Sequence, residues 1–197
     1  LYNHQAINNK SKKKTINMKK TILFSALALL TAVTFAQKKT TTSAIINFDA
    51  TTSIDNLPKA ENKTVVAALD LEKGTVAFEA AIKNFSFTNP MIQEHFNGEK
   101  WMDSDKFPTA IFKGTIVNAD KLTLTKNGKY KANIEGDLTI HGVTQPVKTT
   151  AEIIVKGTEI KSSSDFTIKL EDYGINGGAI SAGKVAKEPK ISVAATF

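Results

Sequence analysis

Tyr130-Lys-Ala-Asn-Ile-Glu-Gly-Asp-Leu-Thr-Ile140 alternates without a break. Tyr130, Ala132, Ile134, Gly136, Leu138 and Ile140 fall on one side; Lys131, Asn133, Glu135, Asp137 and Thr139 fall on the other. Successive side chains of an extended strand point to opposite faces, so this run predicts a strand with one dry and one wet face. The same period recurs on either side of it. Val76, Phe78, Ala80 and Ile82 oppose Ala77, Glu79, Ala81 and Lys83, and Ile160, Ser162, Ser164, Phe166, Ile168 and Leu170 oppose Lys161, Ser163, Asp165, Thr167 and Lys169. Strands are expected near 44–53, 63–71, 75–85, 109–118, 130–141, 145–156, 159–171 and 189–197, with turn signals at Lys73-Gly74, Asn127-Gly128, His141-Gly142 and Lys156-Gly157. Residues 176–183 read as a flexible connection before the last strand. Eight strands with a wet face predict an all-β chain, either a closed antiparallel barrel or a sandwich. Patterning alone does not separate the two.

One stretch breaks the alternation. In Asn89-Pro-Met-Ile-Gln-Glu-His-Phe-Asn-Gly98, Asn89 suits a helix N-cap and Pro90 suits the first turn, where no amide hydrogen is needed. Ile92 and Phe96 lie one turn apart on one face, and Asn97-Gly98 is a stop signal. An aromatic turn around Trp101 follows, and Phe107-Pro108 sends the chain extended again. A short apolar cap between strands is the expected result, and such caps sit over cavity mouths.

Three blocks carry a family likeness. They are Gln93-Glu-His-Phe-Asn97 with Trp101-Met-Asp-Ser-Asp-Lys-Phe-Pro108 and Phe112-Lys-Gly114; Gly136-Asp-Leu-Thr-Ile-His-Gly-Val-Thr-Gln-Pro-Val147; and Phe166-Thr-Ile-Lys-Leu-Glu-Asp-Tyr-Gly-Ile175. In order and spacing the chain resembles the polyisoprenoid-binding YceI-like family over residues 44–197. It departs from that family at Asp49-Ala-Thr-Thr-Ser-Ile54, where the common pattern has a His-Ser pair and a second His in the first hairpin. The resemblance implies an eight-stranded antiparallel lipocalin-like barrel with a short helical cap between strands. It also implies a long-chain isoprenoid or similar amphiphilic lipid as ligand, with no cofactor; whether the chain pairs as a homodimer is left open by the sequence.

The overall charge of +7 misleads. Six of the 26 lysines precede residue 37 while all 19 acidic residues follow it, which leaves the rest of the chain at +1. There is no arginine, the side chain that reads bases and clamps phosphates best, so a nucleic-acid partner is not expected. Met18-Lys-Lys20, the apolar run Ile22 to Phe35 and the small-x-Ala end at Thr34-Phe-Ala36 read as a secretory signal over 18–36, cut after Ala36. That places the protein in the periplasm or outside the cell. Residues 1–17 read as a non-native or disordered extension, 37–43 as a linker and 44–197 as the barrel domain. Cysteine is absent, so a hydrophobic core must supply the stability. The terminal strand Ile191-Ser-Val-Ala-Ala-Thr-Phe197 also suits an outer-membrane barrel, but Lys131, Glu135, Asp137, Lys161, Asp165 and Lys169 on the outer face belong in water, not lipid. The barrel is expected not to span a membrane.

The inward face mixes large apolar residues with small ones (Ala80, Gly114, Ala132, Gly136, Ala151, Ser162, Ser164), which leaves room for a lumen or merely relieves crowding. With the resemblance, Phe78, Ile82, Phe112, Ile134, Leu138 and Phe166 are the candidate cavity wall. Phe85, Phe87, Met91, Phe96 and Trp101 are the candidate cap contacts, with Met102 and Phe107 as further rim residues. Lys100 and Lys106 are placed to meet an anionic head group. His95 and His141 lack a third ligand, and Ser104 and Ser164 lack a nucleophile-elbow context, so neither a metal site nor catalysis is expected. Two rival readings are a secreted stress-protective or interaction module with a side-chain-filled barrel and, weaker, a metal-dependent hydrolase centred on His95.

Overall fold

The computed structural model describes residues 38–197. The expected secretory signal at 18–36 and extension at 1–17 lie outside the described residues. Nine strands follow in chain order: β1 (Lys38–Asp49), β2 (Lys59–Asp70), β3 (Thr75–Ala81), β4 (Ser86–Phe87), β5 (Thr109–Ile116), β6 (Gly128–Ile140), β7 (Val143–Lys156), β8 (Glu159–Thr167) and β9 (Lys190–Thr196). Helix α1 (Pro90–Asn97) and the one-turn helix α2 (Gly178–Ser181) interrupt them, with 3-10 turns at Ile82–Asn84, Ala119–Lys121 and Leu170–Tyr173.

The pairings are antiparallel and run round a ring from β1 through β2, β3, β5, β6, β7, β8 and β9 back to β1. The fold is therefore the expected eight-stranded barrel, not a sandwich. β4 lies outside the ring against the start of β2, where Phe87 pairs with Ala60. Directly paired residues share a face, so one inward residue carries its neighbours inward. Ala132, Ala151, Ser164, Val193 and Ile46 form such a hoop across β6, β7, β8, β9 and β1. A second hoop runs Gly136, Gly114, Val76, Leu69. The outer face carries exposed ion pairs such as Lys129–Glu152 at 2.7 Å and Lys148–Glu135 at 3.1 Å, which favour solubility more than stability.

Several boundaries differ from the sequence reading. The linker assigned to 37–43 is, from Lys38 on, the first half of β1, with Lys38–Thr41 paired to Asp70–Ala67. A Thr-rich run disfavours nothing about a strand, and its partner lies across a hairpin that composition does not reveal. The strand expected over 75–85 ends at Ala81, where the chain turns through Ile82–Asn84 into β4. The strand expected over 159–171 ends at Thr167; beyond it the Ile168 amide still bonds Pro189 O and the Leu170 amide bonds Lys187 O before the 3-10 turn. The connection at 176–183 holds α2.

The long connections (50–58, 82–108 and 168–189) gather at one end of the barrel, called here the cap end. The opposite end has the tight β2–β3 and β7–β8 turns and the 117–127 loop. No helix among the described residues is long and apolar enough to cross a membrane.

Candidate functional site

The cap is built as its sequence predicts. The Asn89 side chain accepts a hydrogen bond from the Met91 amide at 2.9 Å, Pro90 opens the helix, and the Gly98 amide closes it on Glu94 O and His95 O. Phe96 is buried at the centre of an aromatic cluster, with ring centroids 4.9 Å from Phe87, 5.8 Å from Phe85 and 5.9 Å from Phe48. Past the helix, the Met102 amide bonds Phe96 O and buried Ser104 donates its hydroxyl to Asn97 O at 3.1 Å, which folds residues 98–108 back over the barrel. Phe107 meets the His141 ring edge-on at 4.8 Å, and His141 Nδ1 donates to Tyr173 O at 3.2 Å. His141 thus ties the β6–β7 hairpin to the cap and to the Leu170–Tyr173 turn.

Beneath the cap an elongated cavity of about 150 Å³ runs along the barrel axis. It reaches from Phe96, Met102 and Leu170 at the cap end to Leu69 and Ile153 at the other. The wall is hydrocarbon apart from Thr149 and Ser162–Ser164. Ser164 Oγ donates to Thr150 O at 3.0 Å and lies 3.0 Å from Thr149 Oγ1, so this pair is already satisfied within the wall.

Phe112 is held against the wall by missing side chains. A Cβ placed on Gly114 or Gly136 would fall 2.7 Å or 2.8 Å from Phe112 Cζ. At Gly136 it would also strike the Lys113 carbonyl oxygen. The two facing glycines form a recess for the ring, which otherwise would project into the lumen. Gly136→Ala should therefore cost about 2 kcal/mol by overpacking and turn Phe112 inward. Urea denaturation measures the first effect; an unchanged midpoint would mean that the wall yields freely there.

The structure separates the candidate residues. Phe78, Ile82, Phe85, Phe96, Phe112, Ile134, Leu138 and Phe166 line the cavity. Phe87, Met91 and Trp101 do not. Phe87 is buried behind Phe96, and Met91 is 65% exposed on the opposite side of α1. The Trp101 indole lies over Gly177, where a Cβ would come within 2.8 Å of it. Phe48, Met102 and Phe197 line the cavity without having been singled out as its wall. Phe48 and Phe197 continue the inward alternation of their strands, so the signal was present. Lys100 is exposed, and Lys106 Nζ sits 5.1 Å from the Phe107 ring centroid.

Among the described residues, none that lines the cavity is charged. Burial opposes ionisation of Asp49, but hydrogen bonds from the Thr51 hydroxyl and amide and the nearby Lys59 and Lys190 together hold its carboxyl below the ordinary value. Asp165 is also lowered, first by a hydrogen bond from Ser192 and then by Lys190. Burial, with a contribution from Asp172, pushes the Tyr173 phenol from 10 up to about 12. The fold favours the neutral phenol, so this stabilisation is intact below pH 10 and is lost as pH rises towards 12. Tyr173→Phe should lose less stability than the parent across that window; parallel losses in urea titrations would refute the assignment. Among the described residues no three His, Asp or Glu side chains converge as metal ligands, and His95 is exposed on α1.

The family model for the YceI-like domain matches residues 28–197. A UPF0312 protein of Pseudomonas savastanoi pv. phaseolicola is 30% identical over 122 residues, which cover 53% of this chain and 60% of that protein. The chain thus spans about 60% of the length of such curated relatives. A UPF0312 protein of Vibrio vulnificus is 27% identical over 154 residues, covering 72% of this chain and 78% of that one. Among solved structures, BcnA of Burkholderia cenocepacia superposes with a TM-score of 0.66 at 19% identity, over 78% of this chain and 96% of its own. A polyisoprenoid binding domain from Saccharophagus degradans, implicated in plant cell wall breakdown, gives 0.68 at 11% identity, over 81% and 97%. At these identities the likeness is one of fold.

Proposed function

Because this chain belongs to the YceI-like domain family, we propose that it is a binding protein that holds one long apolar lipid, of isoprenoid type, along the axis of its barrel. The observation that supports this reading is the wall of the lumen. It is hydrocarbon from the cap to Leu69, and its few hydroxyls are concentrated on one side, at Thr149 and Ser162–Ser164. Each methylene buried there contributes about 0.8 kcal/mol before the costs of binding are subtracted, so a long chain needs no charged anchor. That the Saccharophagus structure is described as a polyisoprenoid binding domain agrees in kind.

An open volume of about 150 Å³ suits a benzene-sized group. A longer chain therefore enters only if inward side chains move, and the phenylalanines Phe48, Phe78, Phe112 and Phe166 around the lumen are the ones to yield. The same small volume favours the second reading, a barrel filled by its own side chains and serving as an interaction module. We further propose that the protein acts after export, in the periplasm or outside the cell, on the strength of the signal-like sequence at 18–36. Binding and not catalysis is the proposed role.

Native mass spectrometry of the purified protein, followed by organic extraction, tests the proposal. A stoichiometric isoprenoid supports lipid carriage. A ligand-free protein that also refuses added long-chain prenols supports the filled barrel.

A further inference from the structure

The two strands that close the barrel do not close it along their whole length. β1 and β9 are paired from Asp49↔Lys190 to Ile45↔Ala194, and there they part. Toward its start β1 stays with β2 alone, with register breaks between Thr41 and Ala44 and between Ala44 and Ile46. Toward its end β9 stays with β8, where Ala195 pairs with Ser162 and Phe197 exchanges backbone hydrogen bonds with Ile160. A groove of about 300 Å³ lies on the outer side of the wall at this divergence, bordered by Ser43, Ile45, Ile154, Lys161, Ser163 and Ala195. Ala195 is buried on the inward face, and Ser162 and Ser163 border the lumen as well. Lys39 reaches across the gap, its Nζ donating to Thr158 O at 2.6 Å.

We propose that this seam is a side opening of the lumen and that it holds the polar, uncharged end of the lipid whose hydrocarbon lies in the barrel. The proposal rests on the lipid-binding reading above. An amphiphile in this lumen must put its polar end where hydrogen bonds are available, because burying it unpaired is costly. The cap end turns the aromatic cluster around Phe96 and the side chains of Met102 and Leu170 to the lumen, and its polar groups Asp49 and His141 are already paired, with the Thr51 hydroxyl at 2.7 Å and Tyr173 O at 3.2 Å. The seam offers the hydroxyls of Ser43, Ser162, Ser163 and Thr196. Its charges are already matched, Lys161 to Glu159 at 3.3 Å and Glu152 to Lys129 at 2.7 Å, so an alcohol or carbonyl suits it better than a phosphate. Unpaired strand edges also attract other strands, but Lys38, Lys39 and the register breaks in β1 work against that partner.

The absence of cysteine makes one introduced thiol a unique reporter. Ser43→Cys and Ser163→Cys report on the seam, and Met91→Cys, exposed on the side of α1 away from the cavity, is the control for general changes in reactivity. Each variant is loaded with a long-chain prenol, loading is checked by native mass spectrometry, and maleimide labelling is timed with and without lipid. Loading should slow labelling of both seam variants about tenfold, since thiol reactivity follows access, and leave Met91→Cys nearly unchanged. Loaded protein with unprotected seam thiols, or with Met91→Cys slowed as much as they are, overturns the side opening and leaves lipid binding standing. Protection that tracks protein concentration and a dimer mass overturns it in favour of a second copy at the seam. Failure of any variant and of the parent to load overturns the lipid-binding reading and this proposal together.

Discussion

Ser164→Phe should abolish uptake of a long-chain isoprenoid while the barrel stays folded. Ser164 stands in the hoop between Ala151 and Val193, facing the cavity midway along its length. The open volume of about 150 Å³ is what a single benzene ring fills, so one added phenyl closes it. If the block denies the lipid about five buried methylenes, the loss is about 4 kcal/mol, on the order of a thousandfold in affinity. The fold loses only the Ser164 hydrogen bonds to Thr149 and Thr150, worth about 1 kcal/mol each. Thr167→Phe, on the outward face of the same strand, is the control and should bind as the parent does. Titration with a fluorescent prenol reads both. Unchanged affinity in Ser164→Phe would mean that the chain does not pass through the middle of the barrel.

Phe96→Ala should be the most destabilising single truncation in the cap, by about 4 kcal/mol. The side chain is buried and touches three other rings, from β1, β4 and the segment joining β3 to β4. Its removal leaves a void that neither the two-residue strand β4 nor the eight-residue α1 is long enough to collapse into by itself. The wall itself does not depend on Phe96, since its ladders join strands that α1 never pairs with. The expected signature is therefore regional: a lower urea midpoint, with amide exchange accelerating most over residues 85–108. Uniform acceleration around the barrel, or a loss below about 1 kcal/mol, would show that the cap is not held by this cluster.

The period-two pattern revealed the wall because each inward residue in β6 or β8 is opposed by another inward residue, and physics and register agree. The helix was equally readable, since Asn89, Pro90 and Gly98 each satisfy a local demand that needs no knowledge of the rest of the chain. Met91 could have been excluded on the same grounds. Five residues from Phe96, it points well away from the face that Ile92 and Phe96 share. Phe87 and Trp101 were not readable, because their places depend on contacts across the fold, Phe87 on pairing with Ala60 and Trp101 on packing over Gly177. The first half of β1 was missed for a related reason. Lys38-Lys-Thr-Thr-Thr-Ser43 has the polarity of a linker, and only its partner on β2 makes it a strand. The seam, which is a failure of two strands to pair, leaves no trace in either strand's own sequence.

The closing pairs of the ring, such as Ile45 with Ala194, come from opposite ends of the domain. Most other neighbours in the wall follow one another along the chain and can form as local hairpins. Closure is thus the step with the largest loop to immobilise and the fewest contacts to reward it beforehand, which makes it the natural late and slow event of folding. Until β9 arrives, β1 and β8 each present a bare edge, so the interval before closure is when this chain is most exposed to aggregation.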